Sequence, residues 1–171
     1  RRLRCALSGG DWHGPGTVSR PVGRIHVRGD APAVGGANTA RLHAAFDQLA
    51  GIGRWVPLDG LGTFPVRFPV ADAPNDDGWH IESTSANANG DAIVDPASRE
   101  RVLLLLFLFS DVGPDDAPTR FRLGSHHQAA RLLSRIGRPV GFSRAARERI
   151  PLTDQLTGAA ATGEAGGVWL W

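Results

Sequence analysis

A chain of 171 residues, 42% hydrophobic and 21% charged, has the size and make-up of a single globular domain with a core of its own. Its formal charge is only +2, and its 19 basic residues are all Arg, scattered as Arg41, Arg67, Arg99, Arg131 and Arg149 with no dense tract beyond Arg1-Arg2-Leu3-Arg4. The one-sided basic face of a nucleic-acid binder is therefore not written here, and the longest apolar run, residues 102–109, falls far short of the ~20 residues of a membrane span.

Cys5 is the lone cysteine, so no internal disulfide and no Cys-based zinc cluster can form, and a reducing, cytoplasmic setting is the default expectation. Lys, Tyr and Met are absent. We read that as the coding bias of a GC-rich genome, and it explains a pI of 9.8 at so small a net charge. Arg1 is not an initiator residue and Trp171 ends the chain inside an apolar run, so the expectation is a fragment of a longer protein.

Residues 1–37 are rich in Gly and Pro, with one strand expected over residues 22–27. His13 and His26 lack ligand spacing and are read as surface or supporting histidines. Asn38 or Thr39 caps a helix that runs to about Ala50. Leu42, Ala45, Phe46 and Leu49 lie on one face of it, His43 sits on the flank, and Gly51 is the stop. Arg54-Trp55-Val56-Pro57 and residues 63–68 read as two extended segments divided by a Gly-rich turn, and their prolines place them at sheet edges. The turn Asn75-Asp76-Asp77-Gly78 then feeds an alternating strand over residues 78–84, and a small polar loop follows at 87–91.

Residues 102–109 are apolar on both faces and predict a central strand covered on each side. After an acidic turn at 111–118, residues 119–123 alternate and should pair as the next strand. Ser125 is the expected N-cap of a helix whose apolar face is Ala129, Leu132, Leu133 and Ile136. Ser143 caps a second short, Arg-rich helix, residues 157–167 form a small-residue turn, and residues 168–171 begin another strand. Short strands, Gly/Pro turns and a few helices outside them predict a mainly β, α+β chain, built as a double-sheet antiparallel roll with helical cover. A doubly wound parallel fold needs regular strand–helix alternation and a Gly-rich phosphate loop, and neither is present.

The chemistry-bearing stretch is Asp77-Gly78-Trp79-His80-Ile81-Glu82-Ser83. Side chains two apart on a strand share a face, so the imidazole of His80 and the carboxylate of Glu82 project together. They form half of a facial iron site, in which two His and one carboxylate hold Fe(II) and leave positions open. By itself such a triplet is more often the polar face of a surface strand than a metal site.

Four stretches in order carry a resemblance. They are Gly78-Trp79-His80-Ile81-Glu82, the run from Leu105 to Asp111 leading into Ala117-Pro118-Thr119-Arg120, Leu123-Gly124-Ser125-His126-His127, and Thr162-Gly163-Glu164-Ala165-Gly166-Gly167-Val168. From about Arg54 onward the chain resembles the phytanoyl-CoA dioxygenase family, Fe(II)- and 2-oxoglutarate-dependent oxygenases on a double-stranded β-helix (a jelly roll, here incomplete at the C-terminus). Residues 1–53 match less firmly.

The resemblance implies one oxygenase domain across residues 1–171, with His80 and Glu82 as iron ligands and a third ligand, a His, beyond Trp171 together with an Arg that binds 2-oxoglutarate. It implies Fe(II), 2-oxoglutarate and O2 as cofactor and cosubstrates, a small-molecule or acyl substrate, and no nucleic acid or membrane partner. Arg67 and Thr119 are candidates for the cosubstrate pocket, and His126 for a contact near the metal or substrate. Glu82 departs from the family's usual Asp, and its extra methylene moves the carboxylate outward. Two alternatives stay open: a β-helix binding module without catalysis, and a cupin-type metal-dependent hydrolase or isomerase.

Overall fold

The computed structural model describes residues 22–26, 30–68, 78–99, 102–141 and 150–171. The chain divides into two compact units, Arg1–Asp77 and Gly78–Trp171. Among the described residues there are three α-helices and nine strands in four small sheets, and every pairing is antiparallel. The architecture is α+β, and none of these sheets closes into a barrel.

In the first unit, β1 (Val22–His26) pairs with β2 (Thr63–Arg67), with Val22 opposite Arg67 and His26 opposite Thr63. Pro65 lies within β2, which a two-stranded ribbon tolerates because its N–H side needs no further partner. Helix α1 (Ala31–Ala37) falls where a Gly/Pro-rich segment was expected: Asp30 Oδ1 accepts from Ala33 N–H at 3.2 Å, and Pro32 occupies the first turn. Helix α2 (Ala40–Ala50) follows, capped by Thr39, with Leu42 and Phe46 buried and Gly51 ending it at φ 98°.

Asn38, between the helices, binds this region together. Its amide N–H groups donate to Val34 O at 2.8 Å and Leu58 O at 2.7 Å. Its carbonyl accepts from Leu58 N–H at 2.9 Å and lies 3.2 Å from His43 Nε2. Residues 54–57 are not a strand. Trp55 instead folds back on α2, donating from Nε1 to Asp47 Oδ1 at 2.8 Å and meeting the Phe46 ring edge-on at 5.2 Å.

The second unit opens on residues 78–84, which are extended coil and not the strand their alternation predicts. Strand β3 is only Ser85–Ala86, joined by one further bond from Thr84 N–H to Ile93 O. The alternation itself persists, with Trp79 and Ile81 half-buried and Gly78, His80 and Glu82 exposed. β3 turns through Asn87, whose side-chain oxygen accepts from Asn89 and Asp91 N–H groups, into β4 (Ala92–Val94). β4 also pairs with β7 (Val140–Gly141). Val94, Leu133 and Val140 form the buried core here, with Ile81 and Ile136 packed on it.

The rest of this unit is organised by a long antiparallel ribbon. β5 (Leu105–Phe107) pairs with β9 (Val168–Leu170), Leu104 and Trp171 exchange both backbone bonds, and Val112 and Gly163 form a bridge. β6 (Arg120–Arg122) then pairs with β8 (Gly158–Ala160). Among the described residues the run 102–109 is not a central strand: β5 has one partner there, its residues are half-buried, and Val102 and Phe109 are exposed. The partner of β6 comes from the stretch expected to be a turn, because Gly and Ala leave room for a strand without announcing one.

Helix α3 (Ser125–Ile136) starts after Gly124, which takes a left-handed φ of 80°, so the N-cap is Gly124 and not Ser125. The short helix expected after Ser143 lies largely outside the described residues, and a 3-10 turn, Ile150–Thr153, is seen instead at its far end. No helix among the described residues is long and apolar enough to cross a membrane.

Replacing Asn38 by Ala removes the partners of three backbone groups and a ring nitrogen together. The expected cost is about 2 kcal/mol, read as a lowered midpoint in urea denaturation with the slope unchanged.

Candidate metal centre

Alternation places His80 and Glu82 on the same side of residues 78–84, with Trp79 and Ile81 on the other. The result is a close pair: His80 Nε2 lies 3.3 Å from Glu82 Oε1. His80 Nδ1 lies 3.2 Å from Gly78 O, a carbonyl that can only accept. The Glu82 carboxylate likewise only accepts, so a neutral ring donates to one of the two groups; with a cation between His80 and Glu82, Nδ1–H would go to Gly78 O and the Nε2 lone pair to the ion. A protonated ring would instead donate to both groups and make an ion pair, worth little because the side chains are 56% and 47% exposed.

The spacing suits a shared ion. Two donors each about 2.1 Å from one cation and at right angles to each other lie about 3.0 Å apart. Small rotations of His80 and Glu82 would bring the pair to that bite. Among the described residues no group of three or more His, Cys, Asp or Glu side chains is placed to hold a metal, and His80 and Glu82 stand as a pair.

The opposite face is held by cation–π contacts that the sequence reading did not single out. The guanidinium of Arg122 stands 4.3 Å from the Trp79 ring centre and that of Arg120 stands 5.4 Å away, both within the range of attraction. Arg122 also donates from Nη1 to Thr153 Oγ1 at 2.7 Å and pairs with Asp154 Oδ1 at 2.8 Å. Thr153 is buried, and this charge-assisted donor helps satisfy its hydroxyl. Phe121, between the two arginines, stacks on Trp169 at 6.0 Å and tilts against Trp171 at 4.6 Å. The alternation of Arg120, Phe121 and Arg122 in sequence was the available sign that β6 has a cationic and an aromatic face.

The other expected site residues are placed as follows. Thr119 directly precedes β6 and is exposed, with its backbone carbonyl accepting from Ala161 N–H at 2.8 Å. His126 is exposed in the first turn of α3, its ring 3.9 Å from that of His127. Arg67 belongs to the first unit, exposed at the end of β2.

Compared with models of protein families, with curated proteins and with solved structures, the chain matches none.

Replacing Arg122 by Met strips the buried Thr153 hydroxyl of a charged donor and Trp79 of its nearest cation. The expected loss of stability is about 2 kcal/mol by urea denaturation. Asp154→Asn should cost less than about 1 kcal/mol, because that carboxylate is 64% exposed and solvent screens the pair.

Proposed function

We propose that this chain carries the first two iron ligands of a non-haem Fe(II)- and 2-oxoglutarate-dependent dioxygenase acting on a small-molecule or acyl substrate. The observation that carries the reading is the convergence of one imidazole and one carboxylate, from positions two apart, at a separation an ion could bridge. The antiparallel ribbon supports it, since two strands running side by side through successive turns are the repeating element of a double-stranded β-helix.

In this reading His80 binds through Nε2 while Nδ1 is held by Gly78 O, and Glu82 binds through a carboxylate oxygen. The third ligand is a His in a segment following Trp171. When bound, Fe(II) with 2-oxoglutarate and O2 supplies the oxidising power for C–H hydroxylation as the cosubstrate is decarboxylated to succinate and CO2. The chain's own part is positional. Arg120 and Arg122 hold Trp79 from behind, and Ile81 packs on the Val94, Leu133 and Val140 core, so the backbone between them fixes where the two ligands emerge. Thr119 is the residue of this unit assigned to the cosubstrate carboxylate, and His126 to the approach of substrate.

One observation favours a second reading, a binding module that keeps the scaffold without catalysis: the pair is about half exposed and has only two donors among the described residues. Cobalt(II), a spectroscopic stand-in for Fe(II), separates the two. The dioxygenase reading expects a visible cobalt band with the 171-residue chain, weakened more than about tenfold by His80→Ala and by Glu82→Ala. Under anaerobic conditions, Fe(II) with 2-oxoglutarate should add a charge-transfer band in a protein extended past Trp171. If neither metal gives a band, or if His80→Ala leaves both unchanged, the iron reading is lost and the binding module stands.

A further inference from the structure

Helix α3 and the 3-10 turn Ile150–Thr153 pack against each other and leave a cleft of about 330 Å3. Gln128, Arg131, Leu132 and Arg135 line it from the helix, and Leu152 and Gln155 from the other wall. The helix residues stand at i, i+3, i+4 and i+7, so they share one face. This is why Leu132 leaves the apolar face expected for it: Leu133 and Ile136 go to the core while Leu132 turns to the cleft.

The charge of the cleft is one-sided. Among the described residues its lining holds two guanidinium groups and no acid. Asp154, flanked in sequence by Thr153 and Gln155, is engaged by Arg122 at 2.8 Å. Neither Arg131 nor Arg135 makes an ion pair with a described residue. Two like charges one helical turn apart repel. A cation in the last turn of a helix is favoured, which suits Arg135.

The far wall is tied by side-chain bonds. Arg122 ties down buried Thr153, and Gln155 Nε2 donates to Leu152 O at 3.0 Å, which fixes the amide and leaves its second N–H and its carbonyl for another partner. Leu132 and Leu152 supply apolar surface between the polar groups.

We propose that this cleft binds a phosphate monoester with a short apolar stem. Two guanidinium forks match the charge and the oxygen geometry of a phosphate dianion, Gln128 and Gln155 offer amide donors, and the leucines take the stem. The site is independent of the His80–Glu82 pair and does not rest on the iron reading.

The test is a titration of the 15N-labelled 171-residue chain with butyl phosphate, inorganic phosphate and butyrate, followed by the backbone amide shifts of α3 and residues 150–155. Butyl phosphate should give saturable shifts, with inorganic phosphate and butyrate each about tenfold weaker. Affinity should fall as salt is raised. Arg131→Gln and Arg135→Gln should each weaken butyl phosphate about tenfold, while Arg138→Gln, exposed and outside the cleft, should not change it. The same spectra report whether each variant keeps its fold. No saturable shift up to about 10 mM, or undiminished binding in the Arg131→Gln/Arg135→Gln double variant, overturns the site. Equal affinity for inorganic and butyl phosphate overturns the monoester and leaves free phosphate as the ligand.

Discussion

The second unit depends on the antiparallel ribbon in which residues 104–123 run against 157–171. Reciprocal backbone bonds at Leu104–Trp171 and Val112–Gly163 fix the register, and between them Leu108 N–H donates to Gly167 O while Leu108 O accepts from Gly166 N–H. A slip of one residue would exchange the two faces of every strand it contains. Register is what sends Arg120 and Arg122 to one side of β6 and Phe121 to the other, where it meets Trp169 and Trp171.

From that constraint the remaining features follow by contact. Arg122 is a shared anchor: its guanidinium lies over Trp79, its Nη1 satisfies Thr153, and its charge is matched by Asp154. One side chain thus links the segment carrying His80 and Glu82 to the wall of the cleft beneath α3. A charge-assisted bond to a buried hydroxyl is stronger than an ordinary surface pair, and a planar guanidinium can make it while stacking on an indole. Lys at this position could not do both.

The His80–Glu82 pair shows how far a short motif can be trusted. Alternation alone put the two side chains on one face, and they do meet at 3.3 Å. The strand expected to hold them is largely missing, since regular pairing begins only at Ser85. Support comes instead from Ile81 in the core and from Trp79 under two arginines, contacts over long sequence distances that a local pattern does not encode. The same limit explains α1. Asp30 and Pro32 were adequate start signals, but Gly35 and Gly36 within the helix hid them.

What the sequence alone determined is local. The helix after Thr39 and its stop at Gly51, the strands at 22–26, 63–67, 120–122 and 168–170, and the shared face of His80 and Glu82 all follow from side-chain period and backbone preference. Only the tertiary structure decided that β5 within the apolar run 102–109 takes β9 as its partner, that Gly158–Ala160 is a strand, and that Arg122 is the hub. The reason is physical: a strand is completed by whichever distant segment its unpaired N–H and C=O groups meet, and no residue's own preference names that segment.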